Sequence, residues 1–199
     1  MHSPIHEESL NGHVIKIYHD GDVESPRDWD NLGTLICGHT RYNLGDEHSF
    51  DGGREFLLDL CDLDVDSELS VDELAGRAEK YAVILPAYLY DHSGLVMNTT
   101  GFHCPWDSGQ VGFIYATLDT IRKEYSVARV SAKLRHRVAE VLKQEVATYS
   151  DYLNGNTYGY VIEQDGDEIE ACWGFIGDYD GNCLEEARAS MSASSRTEM

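Results

Sequence analysis

Basic residues are scarce in this chain. Fifteen Lys and Arg stand against 36 Asp and Glu, and residues 81–120 contain neither Lys nor Arg. The formal net charge of −21 sets up a field that repels nucleic acid and anionic membranes and attracts basic surfaces. No apolar run approaches the ~20 residues that a membrane-spanning helix needs. The opening MHSPIHEESLNG lacks the basic-then-apolar pattern of a secretory signal, so a cytoplasmic protein is expected. The five cysteines, at 37, 61, 104, 172 and 183, are odd in number and never spaced CxxC. They read as reduced thiols, not as a disulfide frame or a zinc site. HExxH and a Gly-rich phosphate loop running into a helix are also absent, so neither motif assigns a reaction.

What is present suffices for an ordered core. A chain of 199 residues, 42% of them hydrophobic, suits one domain that buries roughly 70% of its unfolded surface. We assign residues 1–12 to a flexible N-terminus, 13–189 to a single domain and 190–199 to a flexible tail. Strands are predicted at His13–Tyr18, Leu32–Cys37, Leu95–Thr99 and Val111–Thr117. Tyr81–Tyr90 is a long apolar run whose Pro86 cannot donate to a ladder, implying an edge strand or a bulge. Helices are predicted at Arg54–Cys61, from the Ser70–Glu73 capping box to about Tyr81, at Asp119–Tyr125, and over Ala132–Leu153. In the last, Leu134, Val138, Leu142, Val146, Tyr149 and Leu153 recur at helical spacing. Asp165-Gly166 joins two alternating runs into a hairpin, with Tyr158, Tyr160 and Ile162 sharing a face with Ile169, Ala171 and Trp173. Asn182 is placed as the cap of a final helix. The class is α+β, with a mainly antiparallel sheet and several helices.

Four features bear on chemistry. The segment Phe102–Tyr115 combines His103, Cys104, Trp106 and Asp107 with two glycines ahead of an apolar run. Pro105, Asp107 and Ser108 favour a turn, Gly109 and Gly112 supply backbone freedom, and Trp106 and Phe113 are expected to pack on the sheet. His39, His48, His92 and His103 fall in loops near Asp46, Asp91 and Asp107, so Asp91, His92, His103 and Asp107 are the candidate acid–base or metal-binding residues. Asp62–Glu73 resembles a twelve-residue calcium loop, with Asp62, Asp64, Asp66 and Glu73 at positions 1, 3, 5 and 12; Ser67 replaces its usual Gly. No other cofactor is expected. The basic stretch Arg122–Lys143 is the one candidate nucleic-acid surface, although the overall charge makes direct nucleic-acid binding unexpected.

The charge is uneven: −13 over residues 1–80, −3 over 81–120, +4 over 121–147 and −9 over 148–199. Two explanations fit equally, a basic partner or adaptation to concentrated salt. The blocks WDNLGT (29–34), RYNLGD (41–46), LYDHSG (89–94), CPWDSGQVG (104–112) and CWGF (172–175) bear on that choice. Together they resemble an uncharacterised family of small proteins carried by bacteriophages and other mobile elements, over about residues 13–188. The resemblance brings no assigned activity, but mobile elements often carry small acidic proteins that occupy the nucleic-acid grooves of host defence enzymes, so the expectation is a protein of the host-cell cytoplasm that inhibits a basic, nucleic-acid-binding defence protein by DNA mimicry, of anti-restriction or anti-CRISPR type. The expected binding surface comprises Asp46, Glu47, Asp62, Asp64, Asp66, Glu68 and Asp72, together with Asp165, Asp167, Glu168, Asp178 and Asp180. An enzyme or ligand-binding protein using the loop Asp and His residues is the alternative, and a nucleic-acid binder acting through 122–143 is the third.

Overall fold

The computed structural model describes residues 3–194; residues 195–199 of the expected tail lie outside the described residues. Among them are five helices and eight strands in two antiparallel sheets, an α+β fold. Spatial contacts group the chain into two compact units, Met1–Pro26 with Asp151–Met199, and Arg27–Ser150. Among the described residues no helix is long and apolar enough to cross a membrane.

The first unit carries a sheet in the order β1 (His6–Leu10), β2 (His13–His19), β7 (Thr157–Gln164), β8 (Asp167–Ile176). The segment expected to be loose therefore contains a strand. Its signal is Asn11-Gly12, with φ of +51° and +82°, the left-handed pair that closes a two-residue hairpin. Asp165-Gly166 closes the β7–β8 hairpin in the same way, at +52° and +91°. One side of this sheet is covered. Ile15, Ile17, Tyr158, Tyr160 and Ile162 pack with Leu184, Ala187 and Met191 of α5 (Leu184–Ser194). The cap is not Asn182. A wide turn over Tyr179–Cys183 precedes α5, and the Asp178 carboxylate accepts from the Asp180 N–H at 3.2 Å.

The predicted face of β8 is reversed. Gln164 pairs with Asp167 and Glu163 with Glu168, but Ile162 pairs with Glu170, so one extra residue enters β8. A one-residue slip exchanges the two faces of a strand. Glu170 consequently turns inward, accepting from the Tyr160 hydroxyl at 2.8 Å, while Ile169 and Trp173 are 52% and 49% exposed.

The second unit carries a sheet in the order β3 (Thr34–Cys37), β6 (Ser108–Thr117), β4 (Ala82–Asp91), β5 (Leu95–Asn98). Of the two outcomes predicted for Pro86 the bulge is found and the edge strand is not, because β4 lies between β6 and β5. Pro86 pairs with Phe113 on one side, β5 begins its pairing only at Tyr88 on the other, and the register shifts at Ala87/Tyr88. Gly112 serves close approach, because a Cβ there would lie 1.8 Å from the Ile36 carbonyl oxygen. Helices α1 (Gly53–Leu60) and α2 (Val71–Ala78) bury Phe56, Leu57, Leu74 and Ala78 against Ile36 and Phe113. Helix α3 (Leu118–Glu124) is capped by Thr117, and α4 (Ala132–Leu153) buries the predicted stripe Val138, Leu142, Val146 and Tyr149.

Candidate functional site

Two surfaces of the second unit collect the residues that sequence reasoning singled out. The first is the ridge formed by α1, the loop 61–70 and α2. Its inner side is apolar, which orients the charged positions outward. Asp51, Glu55, Asp59, Asp62, Asp64, Asp66, Glu68, Asp72, Glu73 and Glu79 are all exposed. Two of these carboxylates finish helix ends. Glu55 accepts from the Asp51 N–H at 2.6 Å, and Glu73 closes the capping box by accepting from the Ser70 N–H at 2.8 Å. The Ser70 N–H and hydroxyl hold the Glu73 carboxyl below its usual range. The other eight form no ion pair among the described residues.

The calcium-like loop is organised by a side chain. Arg54 donates to the carbonyls of Ser67 and Leu69, each at 2.5 Å, and so ties the loop to α1. Glu73, which such a loop needs as its bidentate final ligand, is committed to Ser70. Among the described residues no three His, Cys, Asp or Glu side chains converge as a metal-binding group.

Asp46, expected on the binding surface, is instead half-buried. Its carboxylate accepts from Arg27 at 2.8 and 2.7 Å and from the Leu35 N–H at 2.7 Å. Arg27, with a side chain only 5% exposed, also donates to the Gly33 carbonyl and reaches Glu145 at 3.5 Å. Glu145 in turn accepts the N–H groups of Leu32 and Gly33 at 2.9 and 3.1 Å. Burial raises the Glu145 carboxyl above its usual range, against these donors and the guanidinium. This is a folding clamp. Glu47 is exposed, as are Asp165, Asp167, Glu168, Asp178 and Asp180, but those last five belong to the first unit.

Four of the seven bases in the basic stretch are engaged locally. Arg122 pairs with Asp119, Lys143 with Glu140 at 2.7 Å, and Arg137 lies 5.3 Å from the Tyr125 ring centre. Arg135 donates to the Glu79 and Ala82 carbonyls at 3.0 and 3.2 Å.

The second surface is a cleft of about 460 Å³ between the loop after β3 and the start of β6. Two of the four loop candidates, Asp91 and Asp107, line it, and a third, His92, adjoins it through Asp107. Asp91, at the end of β4, lies 3.4 Å from the Arg41 guanidinium and accepts from the Tyr42 hydroxyl at 3.4 Å. Asp107 lies 3.4 Å from His92 Nδ1 and accepts from the Cys104 thiol at 3.6 Å. The Asp91 N–H donates to the Asp107 main-chain carbonyl at 2.8 Å, which ties the two backbones together beside the cleft. His103 is exposed and joins neither pair, and His48 donates through Nε2 to the Cys37 carbonyl at 2.9 Å, a structural role. A His–carboxylate pair beside a polar cleft suits proton transfer or recognition of a cation. Sequence reasoning missed Arg41 and Tyr42 as partners of Asp91, although both lie in the block RYNLGD. It also misplaced Trp106, which does not pack on the sheet: it is 91% exposed at the mouth of this cleft.

Comparisons with protein-family models, with curated proteins and with solved structures each returned no match.

Proposed function

We propose that this chain is a non-enzymatic acidic binding protein of mobile-element type. It occupies the nucleic-acid groove of a basic host defence protein, such as a restriction or CRISPR-type nuclease, in the host-cell cytoplasm. The observation that supports this reading is the ridge of ten exposed carboxylates between residues 51 and 79. Of the three bases in residues 51–80, Arg54 is drawn into the loop and only Arg77 and Lys80 are exposed. Residues one helical turn apart, such as Glu55 and Asp59 on α1, have Cβ atoms roughly 5–6 Å from one another, so the ridge presents a closely spaced row of negative charge, as a nucleic-acid backbone does. Such an array steers a basic groove toward the ridge and holds it by many weak contacts, each screened by salt.

The test is capture from a lysate of the natural host at low and at moderate salt. The expected result is a nucleic-acid-binding protein retained at low salt, released as salt rises and displaced by DNA. Replacing Asp59, Asp62, Asp64, Asp66, Glu68 and Asp72 together by their amides should weaken that association more than about tenfold. Undiminished binding by the sixfold variant would overturn the ridge. An activity abolished by His92→Ala alone, in a folded protein, would move the chain to the enzymes.

A further inference from the structure

Trp106 is the most exposed large hydrophobic residue among the described residues. Its turn is nonetheless well tied. Ser108 Oγ donates to the Cys104 carbonyl, and Asp107 is held from three sides by Cys104, His92 and the Asp91 N–H. An indole that a tied turn holds out in water leaves most of its apolar surface for a partner, and Trp is among the residues that most often anchor interfaces. The neighbouring cleft already shows what it can hold. The Arg41 guanidinium lies 5.2 Å from the Tyr42 ring centre and 3.4 Å from the Asp91 carboxylate. Trp106 and Asp107 repeat that aromatic–carboxylate combination at the same cleft, and among the described residues no Lys or Arg pairs with Asp107. Phosphate-bearing occupants are disfavoured, because residues 81–120 contain neither Lys nor Arg and the one guanidinium lining the cleft, Arg41, is already paired with Asp91.

We infer that the cleft is a socket for an arginine side chain presented by a basic partner protein, its guanidinium stacked on Trp106 and donating to Asp107. A planar guanidinium meets both demands at once, stacking on the ring while its N–H fork engages the carboxylate; an ammonium matches only the charge. The inference goes beyond the ridge, which asks only for a positive field, whereas the socket asks for one side-chain type.

The experiment is an NMR titration of the full chain with the peptide acetyl-Gly-Arg-Gly-amide, beside its Lys and citrulline counterparts. The amide signals of Trp106–Gln110 should shift saturably with the Arg peptide. The Lys peptide should bind at least about fivefold more weakly, and the uncharged citrulline peptide should not bind. Trp106→Ala, a change at an exposed position, should lose the Arg peptide while its other signals stay in place. The sixfold ridge variant should keep it. No shift with the Arg peptide, equal binding of the Lys peptide, or full binding by Trp106→Ala would each overturn the socket and leave the ridge standing. Loss of host-protein capture by the ridge variant alone bears only on the ridge.

Discussion

The carboxylates around Arg27 and those on the α1–α2 ridge are the same chemical group put to opposite uses within one unit. Asp46 and Glu145 each serve several named donors at 2.7–3.5 Å and sit where water is largely excluded. The ridge acids face solvent, and among the described residues none of them forms an ion pair. Charge in the clamp is local and strongly coupled to folding. On the ridge it is collective and weakly coupled. Net charge counts both alike, so composition alone cannot separate acids that hold the fold from acids free to meet a partner.

The largest expected effect comes from emptying the clamp. Arg27→Ala leaves two carboxylates half-buried or deeper without their cation and should cost about 3–5 kcal/mol of stability in urea unfolding. Ser70→Ala removes the hydroxyl that caps α2 and should cost about 1 kcal/mol in the same assay. A titration of stability sharpens the contrast further, because the two regions should respond with opposite sign. The Glu145 carboxyl is raised above 4.5, so the folded state holds that proton more tightly than the unfolded chain does. Its contribution is complete below 4.5 and declines as pH rises through the folded value. Glu145→Gln should therefore gain stability relative to wild type on going up from pH 4.5. The Glu73 carboxyl is lowered, so its contribution is present above 4.5 and fades as pH falls. Glu73→Gln should gain on wild type only on the acid side, and melting temperatures across that range check both. The smallest effect belongs to a single ridge acid. Asp64→Asn should change stability by less than about 0.5 kcal/mol, and a larger loss would show that the ridge is structural after all.

Legibility in the sequence followed the range of the interactions. The Ser70–Glu73 capping box, the Asp165-Gly166 turn and the stripe of α4 are encoded within a few residues, and the α+β class followed from them. Strand β1 was equally local, but its polar residues hid the Asn11-Gly12 turn that announces it. The clamp was not legible, because Arg27 and Glu145 are 118 positions apart and each looks like an ordinary surface residue. The reversed face of β8 depends on an inserted residue that alternation alone does not reveal. Trp106 misled for a different reason. Its apolarity argues for burial, whereas the hydrogen bonds of its own turn decide where the indole stands.

The pairing of β2 with β7 has a consequence for how the protein is made. Lys16 and its partner Glu163 are separated by 147 positions, so β2 leaves the ribosome well before the strand that completes its sheet. At 5–20 residues per second the delay is on the order of ten seconds. The β1–β2 hairpin forms within microseconds and shields one edge of β2 through that interval. The other edge waits, with only His13, Lys16 and His19 among its apolar residues to discourage premature partners. Residues 27–150 emerge in the meantime and contain every strand of their own sheet, so the central unit can mature first while the two ends of the chain find each other last.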